Sequence, residues 1–247
     1  MLRRKPFNSV LIGLRKNLDI FIILVRLSIK YSFNKIMIID HLAKTIQVKI
    51  VYFGPAMSGK TSTLKTLFTL FGKGDQLESI ESTVGRTLFF DYGTISFEGN
   101  LWELKLHIYS TTGQDFYIVS RPITLRGIDG VLFIADSQKE TFERNGVSWK
   151  EFTSYFSETY EDLPVILCFN KQDLSEKYNP NEFLETYNID KFKNVKVQRT
   201  SAVIGEGILE AFEKMLNLIF NVKIPYFLEK SVMNHLKNTN SLTQNKM

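Results

Sequence analysis

The chain has 247 residues, 44% hydrophobic and 23% charged, enough for one globular domain with extensions and a sizeable core. Its single cysteine, Cys168, excludes an intramolecular disulfide and a cysteine-built metal cage, which suits a cytosolic protein. The net charge of +5 sits at one end: residues 1–36 carry eight Lys or Arg against Asp19 alone, a local +7 that leaves the rest at −2. With no basic stripe bearing interleaved aromatics in that remainder, nucleic acid is not an expected partner.

In chain order, residues 1–43 read as a basic, apolar extension. Over Val10–Tyr31 a helix would align Arg15, Asp19, Arg26 and Lys30 on one narrow stripe, with Leu11, Leu14, Leu18, Phe21, Ile22, Val25 and Ile29 around the rest. The longest wholly apolar run, Ile20 to Val25, is far shorter than the roughly 20 residues that span a bilayer. Three readings stay open: a helix lying in an anionic membrane interface, a helix packed on the domain, or a leader ahead of a true start at Met37. No signal-peptide cleavage pattern follows, which argues against secretion.

From about residue 44 strand and helix patterns alternate, which predicts a doubly wound, mostly parallel sheet. Strands are expected at Ile46–Phe53, Leu88–Phe97, Leu101–Tyr109, Val131–Ala135, Pro164–Phe169 and Val195–Gln198. Helices are expected at Lys60–Phe71, Thr141–Tyr160, Glu182–Tyr187 and Ile208–Phe220, with Gly72 to Arg86 an exposed loop. Glu98-Gly99-Asn100 is a short hairpin signal. The expected domain is 44–222, followed by a polar tail over 223–247.

Two segments about 110 residues apart carry the chemistry. Gly54-Pro55-Ala56-Met57-Ser58-Gly59-Lys60-Thr61 matches the phosphate loop, and it lies between a predicted strand and a predicted helix. Its amides and the helix N-terminus suit a β-phosphate, with Ser62 opening the helix beside them. Lys60 supplies a charge to the β- and γ-phosphates, and the Thr61 hydroxyl is placed to ligate Mg²⁺. Asn170-Lys171-Gln172-Asp173 follows a buried strand, at the sheet edge where open α/β folds bind ligands. Ionised Asp173 can accept guanine N1–H and the 2-amino hydrogens, neither of which adenine offers. The Lys171 stem can cover the base plane, and Asn170 can tie two loops together. Thr200-Ser201-Ala202-Val203 opens a helix after the last strand, so the Ala202 amide could meet guanine O6. The loop motif implies a nucleoside triphosphate, and the second motif selects guanine.

Ser110-Thr111-Thr112-Gly113-Gln114, just after a predicted strand, resembles the D-x-x-G-Q segment of small GTPases with Ser110 in place of the Asp that normally holds Mg²⁺ through a water. Gln114 keeps the amide that orients the attacking water.

With these motifs, with Arg86-Thr87-Leu88-Phe89-Phe90-Asp91-Tyr92 and with Gly127–Gln138 (GIDGVLFIADSQ), the chain resembles the Ras-superfamily small GTPases over about residues 46–220. The resemblance is narrower to the MglA-type prokaryotic GTPases of cell polarity and gliding motility. It implies an α/β, Ras-like P-loop GTPase domain with a six-stranded, mostly parallel sheet flanked by helices on both faces. It further implies GTP and GDP as nucleotides with Mg²⁺, catalytic Gln114 and a cis arginine at Arg86, and metal contact by Thr61 and Thr87, Thr83 being the alternative. Expected partners are roadblock-fold activators and effectors, in the cytoplasm or at a membrane surface. Ala56 departs from the Gly usual in that group and crowds the γ-phosphate; the long extension is a second departure. The competing class is a slowly hydrolysing, membrane-tethered GTP-binding module resembling the β-subunit of the signal-recognition-particle receptor.

Other candidates read as structural. One of Phe89 and Phe90 faces the core on an alternating strand. His107 lacks a nucleophile partner in sequence. Phe152, Tyr155, Phe156 and Tyr160 recur at helical spacing, and Cys168 lies within an apolar run.

Overall fold

The structure is a computed structural model that describes residues 37–81, 87–98, 102–112, 121–156, 163–189 and 192–223. Within these, strands β1 (Ile38–Asp40), β2 (Thr45–Phe53), β3 (Leu77–Glu81), β4 (Thr87–Glu98), β5 (Glu103–Ser110), β6 (Gly130–Asp136), β7 (Val165–Asn170) and β8 (Val195–Arg199) form one sheet. Its order is β3-β4-β5-β2-β6-β7-β8, with β1 on β2. The helices are α1 (Lys60–Leu70), α2 (Arg121–Leu125), α3 (Phe142–Ser154), α4 (Pro180–Thr186) and α5 (Ile208–Lys223). β2, β5, β6, β7 and β8 pair in parallel, whereas β1–β2, β3–β4 and β4–β5 are antiparallel.

The α/β class and the mostly parallel sheet agree with expectation, but the sheet has eight strands instead of six. β3 lies in the polar stretch read as a loop. It is an edge strand whose ladder comes from the long β4, so its polar sequence needs no apolar alternation of its own. β1 lies ahead of the expected domain start at residue 44, and Met37 beside it is buried in the core. α2 has only five residues, too few for a helical period to be read. α3 ends at Ser154, short of the predicted Tyr160, which lies outside the described residues. The predicted Val10–Tyr31 helix and the polar tail lie outside them too.

Two apolar clusters flank the sheet. Ile46, Val48, Ile50 and Tyr52 point to one face with α1 and α5; Val51 and Phe53 point to the other, under α2, α3 and α4. Every residue of β6 and β7 is buried, the pattern of parallel strands covered on both faces. β5 instead alternates buried and half-buried residues. Its outward His107 bonds Tyr92 at 3.2 Å and Gln47 at 3.2 Å, a structural role. Cys168, Phe152, Trp102 and Trp149 are buried core.

Candidate functional site

The parallel strands β2, β6 and β7 end at one sheet edge, and the motif loops meet there. Gly54 leaves β2 with φ of +143° and runs so close to β6 that a Cβ would lie 2.3 Å from the Ile134 carbonyl oxygen. Gly59 has φ of +97°, and a Cβ there would meet Asn170 Nδ2 at 2.3 Å. Glycine is therefore required at both, for backbone angle and for close approach. Met57 takes a positive φ of 62° and is exposed, and Ala56 is half-buried.

Asn170, the last residue of β7, joins the loops. Its Nδ2 donates to the Ser58 carbonyl at 2.9 Å, while Oδ1 accepts from the Ala202 amide at 3.1 Å and the Thr200 hydroxyl at 3.2 Å. Asp173 accepts from the Ser201 hydroxyl, which fixes one carboxylate oxygen at the loop. Lys171 has φ of +66° and donates to Asp136 at the end of β6 over 2.6 Å. The Ala202 amide donates to Asn170, and Val203 beside it is exposed.

On the phosphate side, Lys60 opens α1 with its side chain buried. Nζ donates to the carbonyls of Gly54 at 2.8 Å and Pro55 at 2.7 Å. Burial, aided by the field of Arg121, lowers its pKa to about 7, against the pull of Asp91. Ser62 is exposed in the first turn, and Ser58 Oγ is buried with no hydrogen-bond partner among the described residues.

The strongest finding beyond the sequence reading is Asp91. It lies on β4, fully buried, and its Oδ2 accepts from Thr61 Oγ1 at 2.8 Å and from Ser110 Oγ at 2.5 Å. A carboxylate therefore does stand beside Ser110, supplied by the neighbouring antiparallel strand. Its signal in the sequence was an acidic residue inside an aromatic strand, where an unpaired charge is costly. Two hydroxyls and a carboxylate are hard oxygen donors of the kind that suit Mg²⁺.

Arg121 ties the start of α2 to the segment just after β5 and to α3: Nε donates to the Thr112 carbonyl at 3.0 Å, and the guanidinium pairs with Glu151. Thr87 is the first residue of β4 and pairs with Glu81. Arg86, Gly113, Gln114 and the alternative Thr83 lie outside the described residues.

A strand, a glycine-hinged loop and a helix that begins at Lys60, joined by Asn170 to a second loop bearing Asp173, define a P-loop nucleotide-binding protein. A family model described as Ras family matches residues 49–221. The chain belongs to the Ras family, and it is a GTPase. It is 32% identical over 187 residues to the mutual gliding-motility protein MglA of Myxococcus xanthus, covering 73% of this chain and 94% of that protein. It is also 27% identical to the Ras-related proteins Rab-5B of Plasmodium falciparum and Rab-18-B of Danio rerio, over 72% and 76% of this chain and 81% and 85% of theirs. Among the described residues no helix is long and apolar enough to cross a membrane.

Proposed function

We propose that the protein is an MglA-type molecular switch that binds GTP and GDP with Mg²⁺ and hydrolyses GTP under stimulation by a partner. The observation that carries this reading is Asn170, whose side chain bonds the phosphate loop and the Ser201–Ala202 loop together. Asp173 would read guanine N1–H and the 2-amino group, and Gly54 to Ser62 would cradle the phosphates.

Thr61 and Asp91 would hold Mg²⁺, with Ser110 orienting the Asp91 carboxylate and Thr87 contributing from the first switch. When bound, the ion neutralises charge on the β- and γ-phosphate oxygens. Gln114 would orient the attacking water, and Arg86 would neutralise charge developing on the bridging oxygen. Arg86 precedes β4 in a polar segment of the sequence, and a roadblock-fold activator would position it for the reaction. The protein would act in the cytoplasm, with the +7 extension making peripheral contact with anionic membranes.

The test is single-turnover GTP hydrolysis with and without a roadblock-fold partner. Arg86→Ala should lower the stimulated rate by on the order of 10³ or more, an arginine-finger-sized loss. Gln114→Leu should lose hydrolysis while keeping GTP affinity. An Arg86→Ala protein hydrolysing at the stimulated wild-type rate would move the arginine to the partner. Co-sedimentation with anionic vesicles, comparing the full chain with one starting at Met37, tests the extension; equal behaviour removes the membrane role.

A further inference from the structure

The run Ala135-Asp136-Ser137-Gln138 leaves β6 beside the guanine motif and has no role in the reading above. It lies along Asn170-Lys171-Gln172 almost residue for residue. The Ser137 amide donates to the Asn170 carbonyl at 3.0 Å, extending the parallel β6–β7 ladder past its last pair. Gln172 Nε2 donates to Ser137 Oγ at 2.7 Å, and Gln138 forms an antiparallel bridge with Lys177. Lys177 Nζ in turn donates to the carbonyls of Gln172 at 2.8 Å and Leu174 at 2.7 Å, closing the loop from below.

Asp136 is the charged member of this run and is only 1% exposed. Its own backbone is bonded on both sides by Asn145, and its Oδ1 accepts from the Gln138 amide at 3.1 Å, so the carboxylate is rigidly aimed. Oδ2 receives the Lys171 ammonium at 2.6 Å, with the half-exposed Arg144 guanidinium 3.5 Å away. Lys171 adopts a left-handed backbone, which costs a β-carbon-bearing residue on the order of 1–2 kcal/mol and persists only where neighbours hold it. With its backbone in the left-handed region and its tip held by Asp136, the four-carbon stem is fixed at both ends.

We propose that Asp136-Ser137-Gln138 is a template for the guanine-binding loop, in which Asp136 is a positioning residue that stretches the Lys171 stem across the base plane. This rests on the guanine-site reading and deepens it. The stem covers a purine face and touches neither N1 nor the 2-amino group. Asp136 therefore sets how long a purine nucleotide stays bound, while Asp173 sets which purine is chosen.

The experiment measures dissociation rates of fluorescent GDP and of fluorescent IDP, whose base lacks only the 2-amino group. Asp136→Asn, which keeps the shape and removes the charge, should speed release of both by about tenfold, with the GDP-to-IDP ratio unchanged within twofold. Lys171→Met, which keeps the stem and removes the ammonium, should do the same. The double variant should be no more than twofold worse than either, because both break one pin. Asp173→Asn should instead change the GDP-to-IDP ratio.

The template role is overturned if either single variant releases GDP at the wild-type rate, if the two effects multiply, or if Asp136→Asn alters the base ratio. If Asp136→Asn does not fold, Lys171→Met decides alone, since its side chain is partly solvent-exposed. A wild-type protein with no preference for GDP over ADP would overturn the guanine reading itself, whereas a guanine-selective wild type with an inert pin overturns only the template.

Discussion

The two ends of the nucleotide site are held by different kinds of bond. On the base side, beside β6, β7 and β8, side chains bond backbone groups: Asn170 reaches Ser58 and Ala202 on two other loops, and Lys177 reaches Gln172 and Leu174 within its own loop. On the phosphate side, beside β2, β4 and β5, the groups expected to touch nucleotide and cation bond one another. Lys60 donates to carbonyls of its own loop, and Thr61 and Ser110 share the Asp91 carboxylate. The base side is thus shaped by fixed tertiary bonds. In the proposed switch a phosphate would replace the Gly54 and Pro55 carbonyls at Lys60, and a cation would replace hydroxyl protons at Asp91.

The largest effect should come from the base side. Asp173→Asn removes the proposed charged acceptor of two guanine hydrogen bonds, worth about 1.5–3 kcal/mol each, so GDP affinity should fall by about 10²-fold or more. Xanthosine diphosphate should gain, and a competition titration over GDP, ADP and XDP reads both. Equal wild-type affinity for GDP and ADP would break the comparison at its base.

Next comes the shared carboxylate. Asp91→Asn should weaken GDP binding by about ten- to a hundredfold in Mg²⁺ and change it little in chelator, since one charged acceptor is lost. Ser110→Asp should destabilise the fold, because it sets two buried carboxylates side by side. The swap Asp91→Ser with Ser110→Asp should recover both folding and Mg²⁺ dependence. Mg²⁺ dependence that survives Asp91→Asn would mean that the carboxylate is structural.

Lys60 supplies a pH test. Its pKa is lowered to about 7, chiefly by burial, and a bound phosphate should raise it. Between those two values the nucleotide complex holds one proton more than the free protein, so binding takes up a proton. Affinity is then fullest below about pH 7 and should fall by up to tenfold per pH unit above it. Calorimetry in buffers of different ionisation enthalpy measures the uptake, and Lys60→Arg should abolish it.

The smallest effect belongs to Lys177→Met, which uncaps two loop carbonyls. Solvent screening leaves the two ammonium bonds contributing about 1 kcal/mol together, so GDP release should quicken by about fivefold with base preference intact. A loss confined to one base would show that Lys177 shapes Asp173 itself.

Residue identity and spacing were enough for the family, the nucleotide and the order of the main elements, because phosphate and guanine recognition each need a short contiguous run at a strand end. Val131–Ala135 and Val165–Phe169 were legible as buried parallel strands because their apolar runs are continuous. β1, β3 and α2 were not, because three to five residues carry no period and their pairing partners lie elsewhere in the chain.

Asp91 shows what only tertiary structure decides. A connection confined to Glu98–Asn100 would pair Phe97 with Leu101 and set Asp91 opposite His107. The observed register pairs Glu98 with Glu103 and Tyr92 with Tyr109, which brings Asp91 to Ser110. Local sequence shows that a carboxylate is missing at Ser110 and that one is present at Asp91. Only strand register, set by packing of Ile95, Leu106 and Ile108 into the core, makes them one site. Asp136 follows the same rule: its charge is visible in the sequence, but its partner Lys171, 35 residues on, is chosen by the parallel pairing of β6 and β7.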